Sequence, residues 1–281
     1  MSRVASGHSV GSPMKITQLS DTFLPASARA IRRVGAGRAL RTAALPAAAH
    51  LVPSVLVLGQ WWPEMAPPLR ALPGGLCRWR GPSTGRPEVA LTFDDGPDPS
   101  TTPRVLDLLD EHEMRATFFS SGERVDRFPD LVQEIARRGH EVGTHGYYHQ
   151  RHLFRAAPQI VKDLEAAVAA LERLRPSIRP RHFRPPYGQV SGGSIMAAHR
   201  SGLDMVLWSA WGREWADRSV DSVTERLLSH LGPGAIILLH DSDGSAPKGT
   251  ADIAFEALKR ILAELGERRM KSVRIADLVR N

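Results

Sequence analysis

Cysteine is nearly absent from this chain: Cys77 is the only one in 281 residues. One thiol cannot close an intrachain disulfide, gives no reading of redox compartment, and excludes a structural zinc site built on cysteines. Acidic residues are scarce at one end only. Residues 1–86 hold eleven Arg and Lys against Asp21 and Glu64, a surplus of nine, and the whole chain carries +7, so residues 87–281 carry −2. The basic character belongs to an N-terminal arm. A nucleic-acid partner, which would need Lys and Arg clustered on the folded body, is not expected. Internal repeats are missing. The only low-complexity tract is the Ser, Gly, Ala and Arg-rich stretch of residues 1–41.

Long apolar runs are also rare. The one candidate, Thr42 to Gln60, is nineteen residues without formal charge, long enough to be weighed as a membrane span. Pro46, His50, Pro53 and its many alanines weaken it. Arg29, Arg32, Arg33, Arg38 and Arg41 before it, and Trp61 and Trp62 after it, suit a membrane interface with the N terminus on the cytoplasmic side. A poor anchor, an interfacial segment and an apolar arm packed on the domain all remain open. A cleaved signal peptide is disfavoured, because the stretch starts far from Met1. The expected division is an arm over residues 1–86, with membrane association as one of its readings, and a single domain over 87–281. A cell-envelope or membrane-associated location is favoured over the cytoplasm.

From Glu88 onward, short β-type runs alternate with helix-period segments. The strands expected are Val89–Phe93, Ala116–Ser120, Glu141–Gly143, His182–Arg184, Met205–Trp208, Ala235–Leu239 and Ser272–Ile275. Ile160, Leu164, Ala167, Leu171 and Leu174 fall on one helical face, and Ile253, Ala257, Ile261 and Leu265 repeat the pattern. Such alternation predicts an α/β fold with a parallel sheet and outer helices, and about seven units would close into a barrel.

What the chain does carry is a set of polar groups at the ends of those strands. Thr92-Phe93-Asp94-Asp95-Gly96-Pro97 places two carboxylates after an apolar run, and Gly143-Thr144-His145-Gly146-Tyr147-Tyr148-His149 places two imidazoles four residues apart. One carboxylate and two imidazoles are three ligands for a divalent metal, with a position left for water or substrate. The other carboxylate is then free to act as a base. His152 continues the spacing and competes with the carboxylate as a ligand. Arg184-Pro185-Pro186-Tyr187-Gly188, Trp208 and His240-Asp241 end further strands. In a parallel α/β barrel the active site gathers at that end of the strands. The chemistry indicated is metal-assisted hydrolysis.

With these segments in view, the chain resembles the polysaccharide deacetylase family, the carbohydrate esterase family 4 group built on the NodB homology domain. Thr92–Pro97, His145–His149, Arg184–Gly188 and Leu239–Asp241 carry the likeness, and residues 1–86 lie outside it. The resemblance implies a distorted (β/α)7 TIM-like barrel that removes N-acetyl or O-acetyl groups from a carbohydrate, such as an envelope or lipid-linked saccharide. It implies Asp94 as general base, and Asp95, His145 and His149 as ligands of one divalent ion, usually zinc, with cobalt, nickel or manganese as alternatives. Arg184 would pair with Asp94, the Tyr187 N–H would meet the oxyanion, and His240 would be the acid. Leu239, Trp215 and Pro185 would shape the substrate pocket.

One segment departs from the pattern. Where the family commonly has Asp-x-x-Asp-Trp, this chain reads Trp211-Gly212-Arg213-Glu214-Trp215. Glu214 or Asp217 would then have to orient His240, and Arg213 could reach an anionic part of the substrate. The competing functions are an amidase or deformylase of the same fold, and a carbohydrate-binding relative without turnover.

Overall fold

The computed structural model describes residues 77–82 and 85–280, apart from 154 and 175. Residues 1–76 of the basic arm, with the 42–60 stretch, therefore lie outside the described residues. Among those described, no helix is long and apolar enough to cross a membrane.

The sheet is built around β1 (Glu88–Asp94), whose residues from Val89 to Asp94 are all buried. A strand covered on both faces reads as continuously apolar, and Val89, Ala90, Leu91 and Phe93 supply that run. On one side it pairs in parallel with β2 (Ala116–Ser120), followed by β3 (Glu141–Thr144), β4 (His182–Phe183) and β5 (Asp204–Met205). On the other side lie β7 (Ile236–His240) and then β6 (Ala210–Trp211). The last strand, β8 (Lys271–Ser272), pairs with the start of β1. All these pairings are parallel, and the sheet curls without β5 and β6 pairing to each other, so the barrel is left open there.

Two expectations change at this seam. Met205–Trp208 is not one strand: the chain pairs at Asp204–Met205, leaves the sheet, and pairs again at Ala210–Trp211. The last expected strand is shorter, because the chain turns into a helix at Ile275. Residues ahead of the expected domain boundary also join the fold. Arg78 bridges to Val206, Arg80 bridges to Ala235, and the Gly81 N–H donates to the Gly234 carbonyl.

The helices follow the apolar periodicity. They are α1 (Thr102–Glu111), α2 (Gly122–Arg127), α3 (Pro129–Arg137), α4 (Ala157–Glu172), α5 (Gly192–Arg200), α6 (Val220–Ser229), α7 (Thr250–Glu267) and α8 (Ile275–Leu278). Helix α4 buries Ile160, Leu164, Ala167 and Leu171, and α7 buries Ala257, Ile261 and Leu265. Each large apolar side chain covered in this way contributes about 1.5–3 kcal/mol.

A part-buried hydrogen-bonded pair fastens α8 beneath the sheet. His182 Nδ1–H donates to Glu141 Oε1 at 2.6 Å, while Glu141 Oε2 accepts from the Thr117 hydroxyl and the Ala276 N–H, both at 3.0 Å. Burial pushes the Glu141 carboxyl up, but these donors outweigh it and hold it below the usual range. A depressed carboxyl stabilises the fold above its unfolded pKa, and that contribution fades as pH falls through the folded value. Glu141→Gln should lower stability by about 1–3 kcal/mol near neutral pH, read from the denaturant midpoint. The deficit relative to the parent should shrink in acid.

Candidate metal centre and active site

Five strand ends meet in one cavity of about 360 Å³, lined by Asp94, Asp95, His145, His149, Tyr187 and His240 among others. Register explains part of this: Asp94 ends β1 directly beside His240 at the end of β7. Neighbouring residues of a strand point to opposite faces. Asp95 escapes that rule because its backbone is left-handed, with φ at 71°. Both carboxylates therefore reach the same cavity.

Asp95, His145 and His149 offer one ligand atom each within 4.8 Å of one another. Asp95 Oδ1 lies 3.4 Å from His145 Nε2 and 3.1 Å from His149 Nε2. This oxygen is buried and accepts no hydrogen bond. His145 Nδ1–H donates to the Arg184 carbonyl at 2.7 Å, which leaves Nε2 as a lone pair facing the carboxylate. Burial, reinforced by His149, holds the His145 pKa well below its ordinary value, so the ring is a neutral donor. Lone pairs converging on an orphaned carboxylate oxygen fit a cation, and the trio could hold one divalent ion. His152 does not join them. It is buried against the Phe183 ring with Nδ1 2.9 Å from Ser194 Oγ, and burial lowers its pKa to about 4.

Asp94 is committed elsewhere. Arg184 is fully buried, and its Nη1 donates to Asp94 Oδ1 at 2.7 Å and to Thr92 Oγ1 at 2.8 Å. Its Nη2 donates to the Leu207 carbonyl at 3.0 Å, and the guanidinium lies 4.2 Å from the centroid of Phe119. Across the cavity, His240 Nδ1–H donates to Glu214 Oε1 at 2.8 Å. Burial alone would lower the His240 pKa, but the Glu214 carboxylate reverses this and raises it to about 9. The imidazolium is thus the prevailing form near neutral pH.

A family model described as polysaccharide deacetylase matches residues 81–206. A peptidoglycan-N-acetylglucosamine deacetylase of Bacillus cereus is 36% identical over 178 residues, 63% of this chain and 63% of that protein, so just under two thirds of that relative is spanned. A chitooligosaccharide deacetylase of Sinorhizobium fredii is 35% identical over 190 residues, 66% of this chain and 88% of the relative. Among solved structures, a peptidoglycan N-acetylglucosamine deacetylase in complex with an N-oxidanyl-benzamide superimposes with a TM-score of 0.66 and 32% identity, over 73% of this chain and 92% of that one. The chain belongs to the polysaccharide deacetylase family.

Three of the expected site residues, Asp217, Leu239 and Pro185, lie outside the cavity. Glu214, wholly buried, is the acid on His240. Asp217 faces away, accepting from the Ser219 N–H and the Ser222 hydroxyl at the start of α6. Leu239 is buried in the main core, whereas Leu238 lines the cavity. The two-residue period of β7 puts Leu238 on the same face as His240, opposite Leu239. Pro185 does not line the cavity either; it is buried, and its carbonyl accepts from the Gly188 N–H. Trp215 does line it, edge-on to His240 with centroids 5.4 Å apart.

Trp208, marked in the sequence as a strand end, and Trp211 also form walls of this cavity, and the structure adds Arg151 and the Ser245–Pro247 loop, which the motifs did not mark. Beneath it, Asp163 of α4 accepts from the Tyr147 and Tyr148 N–H groups at 2.9 and 3.4 Å. An acid three residues after Ile160 sits on the apolar face of its helix, which was the available signal.

Arg184→Lys keeps the charge but loses the planar fork. It should lower stability by about 3 kcal/mol or more, as for a broken buried pair, measured by denaturant unfolding.

Proposed function

We propose that this member of the family is a metal-dependent hydrolase that removes the acetyl group from an N-acetylated saccharide, of the peptidoglycan or chitooligosaccharide kind on which its relatives act. One observation carries this reading. A single cavity holds an Arg184-bound carboxylate, a separate Asp/His/His trio and a Glu214-bound imidazolium. The full set of groups also disfavours a binding protein without turnover.

Each group has a task that follows from its partners. Arg184 occupies Asp94 Oδ1, leaving Oδ2 to take the proton of the attacking water. Asp95, His145 and His149 would hold the metal. Two imidazoles and a carboxylate suit zinc, and cobalt, nickel or manganese would also be accepted. When bound, the ion polarises the substrate carbonyl and acidifies water. The Tyr187 backbone, left-handed at φ 59°, offers its N–H to the oxygen that gains charge. His240 donates from Nε2, because Nδ1–H is held by Glu214. Water thus adds to the carbonyl carbon, the C–N bond breaks, and the sugar amine leaves with the His240 proton while acetate remains. An amine is a poor leaving group without that proton, which favours amide over ester substrates. The basic arm and the 42–60 stretch would place the domain beside an envelope saccharide. The full chain should then sediment with anionic liposomes, and a chain that stays in the supernatant would remove this part.

Acetate release from N-acetylated oligosaccharides should be lost with chelator and restored by zinc. Asp94→Asn should abolish it while metal content, read by atomic emission, stays near one ion per chain; His145→Ala should lose both. Base and acid catalysis each contribute roughly 10²–10⁴-fold, which sets the scale of the Asp94→Asn loss.

The pH profile tests His240. Its raised pKa keeps the acid loaded until pH passes about 9. In Glu214→Gln the imidazolium loses its counter-charge, so the basic limb of kcat/KM should move to lower pH. A limb that does not move would remove Glu214 from the mechanism. The same pair stabilises the fold fully below the ordinary histidine value of 6.5, and that contribution is lost as pH rises through about 9.

A further inference from the structure

The loop that carries both histidines of the trio is held from two sides. Its first N–H, at His145, donates to the Ser120 carbonyl at the end of β2. The carbonyls of Gly146 and Tyr147 accept from the Gly122 and Glu123 N–H groups at the start of α2, at 2.9 and 3.2 Å. The N–H groups of Tyr147 and Tyr148 turn the other way and donate to Oδ2 and Oδ1 of Asp163, at 2.9 and 3.4 Å. Asp163 comes from α4, on the face that buries Ile160, Val161 and Leu164. A buried carboxylate is costly on such a face unless its oxygens are hydrogen-bonded, and these two bonds meet that need. The approach is close: a Cβ added at Gly146, where φ is +79°, would come within 2.9 Å of Asp163 Oδ2.

The two imidazoles depend on this loop to different degrees. His145 is oriented through its own ring, whose Nδ1–H donates to the Arg184 carbonyl. His149 is placed by a left-handed backbone, φ 46°, and by packing on Tyr187 with centroids 4.5 Å apart. Slack at Tyr147 or Tyr148 therefore passes to His149 Nε2, which lies 3.1 Å from Asp95 Oδ1. Resting on the reading of the trio as a metal site, we propose that Asp163 is a positioning residue for that site. By anchoring the Tyr147 and Tyr148 N–H groups, it holds His149 at the spacing from His145 and Asp95 that one cation needs. Supporting contacts of this kind orient ligands before the ion arrives, and losing one typically costs about 10–100-fold in affinity.

Asp163→Ala removes both acceptors while suiting the helix, and Asp163→Asn removes one, because its amide nitrogen meets an N–H with another donor. Ile160→Val, one turn earlier on the same buried face, is the control for loosened packing alone. Zinc titrated into the chelator-stripped full chain should bind about 10–100-fold more weakly in Asp163→Ala, with Asp163→Asn between it and the parent. Ile160→Val should bind within about two-fold of the parent, well inside that loss. With cobalt in place of zinc, the visible absorption band should shift in Asp163→Ala and stay in place in Ile160→Val. Amide exchange in the metal-free parent should find the Tyr147 N–H protected, which reads the anchor without any variant. An Asp163→Ala chain that binds zinc as tightly as the parent, a control that weakens binding equally, or an unprotected Tyr147 N–H would each overturn the assignment. A parent that binds no zinc would instead overturn the metal reading beneath it. A parent that binds zinc without releasing acetate would overturn the deacetylase reading alone.

Discussion

A guanidinium with no access to water must be satisfied in place, and Arg184 is such a group. Its donors meet Asp94 and Thr92 on β1 and the carbonyls of Val206 and Leu207 after β5. Leaving a buried charge uncompensated costs several kcal/mol, so the pairing with Asp94 is enforced by the fold. That pairing divides the two adjacent aspartates. Asp94 is held in one orientation against the guanidinium, and Asp95 is left facing the imidazoles. The Arg184 carbonyl orients His145 through Nδ1, so one residue fixes both the base and a ligand.

The cavity also concentrates backbone strain. Among the described residues six non-glycine positions have positive φ, and four of them, Asp95, His149, Tyr187 and Arg213, line it. The other two, Glu113 and Arg269, follow helices α1 and α7, where left-handed residues commonly end a helix. Strain persists only where surrounding contacts over-determine it. Here those contacts are visible: Asp163 under the histidine loop, Glu214 behind His240, and the Pro185–Gly188 turn around Tyr187.

Much of this was legible in the chain because the signals were periodic or local. Strand β2 runs over the expected residues, and α4 and α7 bury the expected faces. One carboxylate with His145 and His149 follows from residue types at strand ends, and the family resemblance picks Asp95 as that carboxylate. What failed depended on geometry that spacing does not record. Two-residue strands such as β6 carry too little alternation to be seen, and the exit of the chain after Met205 looked like one longer strand. Leu239 was chosen over Leu238 although the strand period places the latter beside His240. Glu214 and Asp217 were equal candidates in sequence; only the start of α6, which occupies Asp217, separates them. Asp163 was hidden because a lone acid on a helix reads as a solvated residue.

The central claim is that Arg184 reserves Asp94 for the water while Asp95 serves the ion. An anomalous difference map from zinc-soaked crystals tests it most directly. The account predicts one peak bonded to Asp95, His145 and His149, with the Asp94–Arg184 pair intact beside it. A peak bonded to Asp94 with Arg184 displaced, or no peak among these residues, would contradict it.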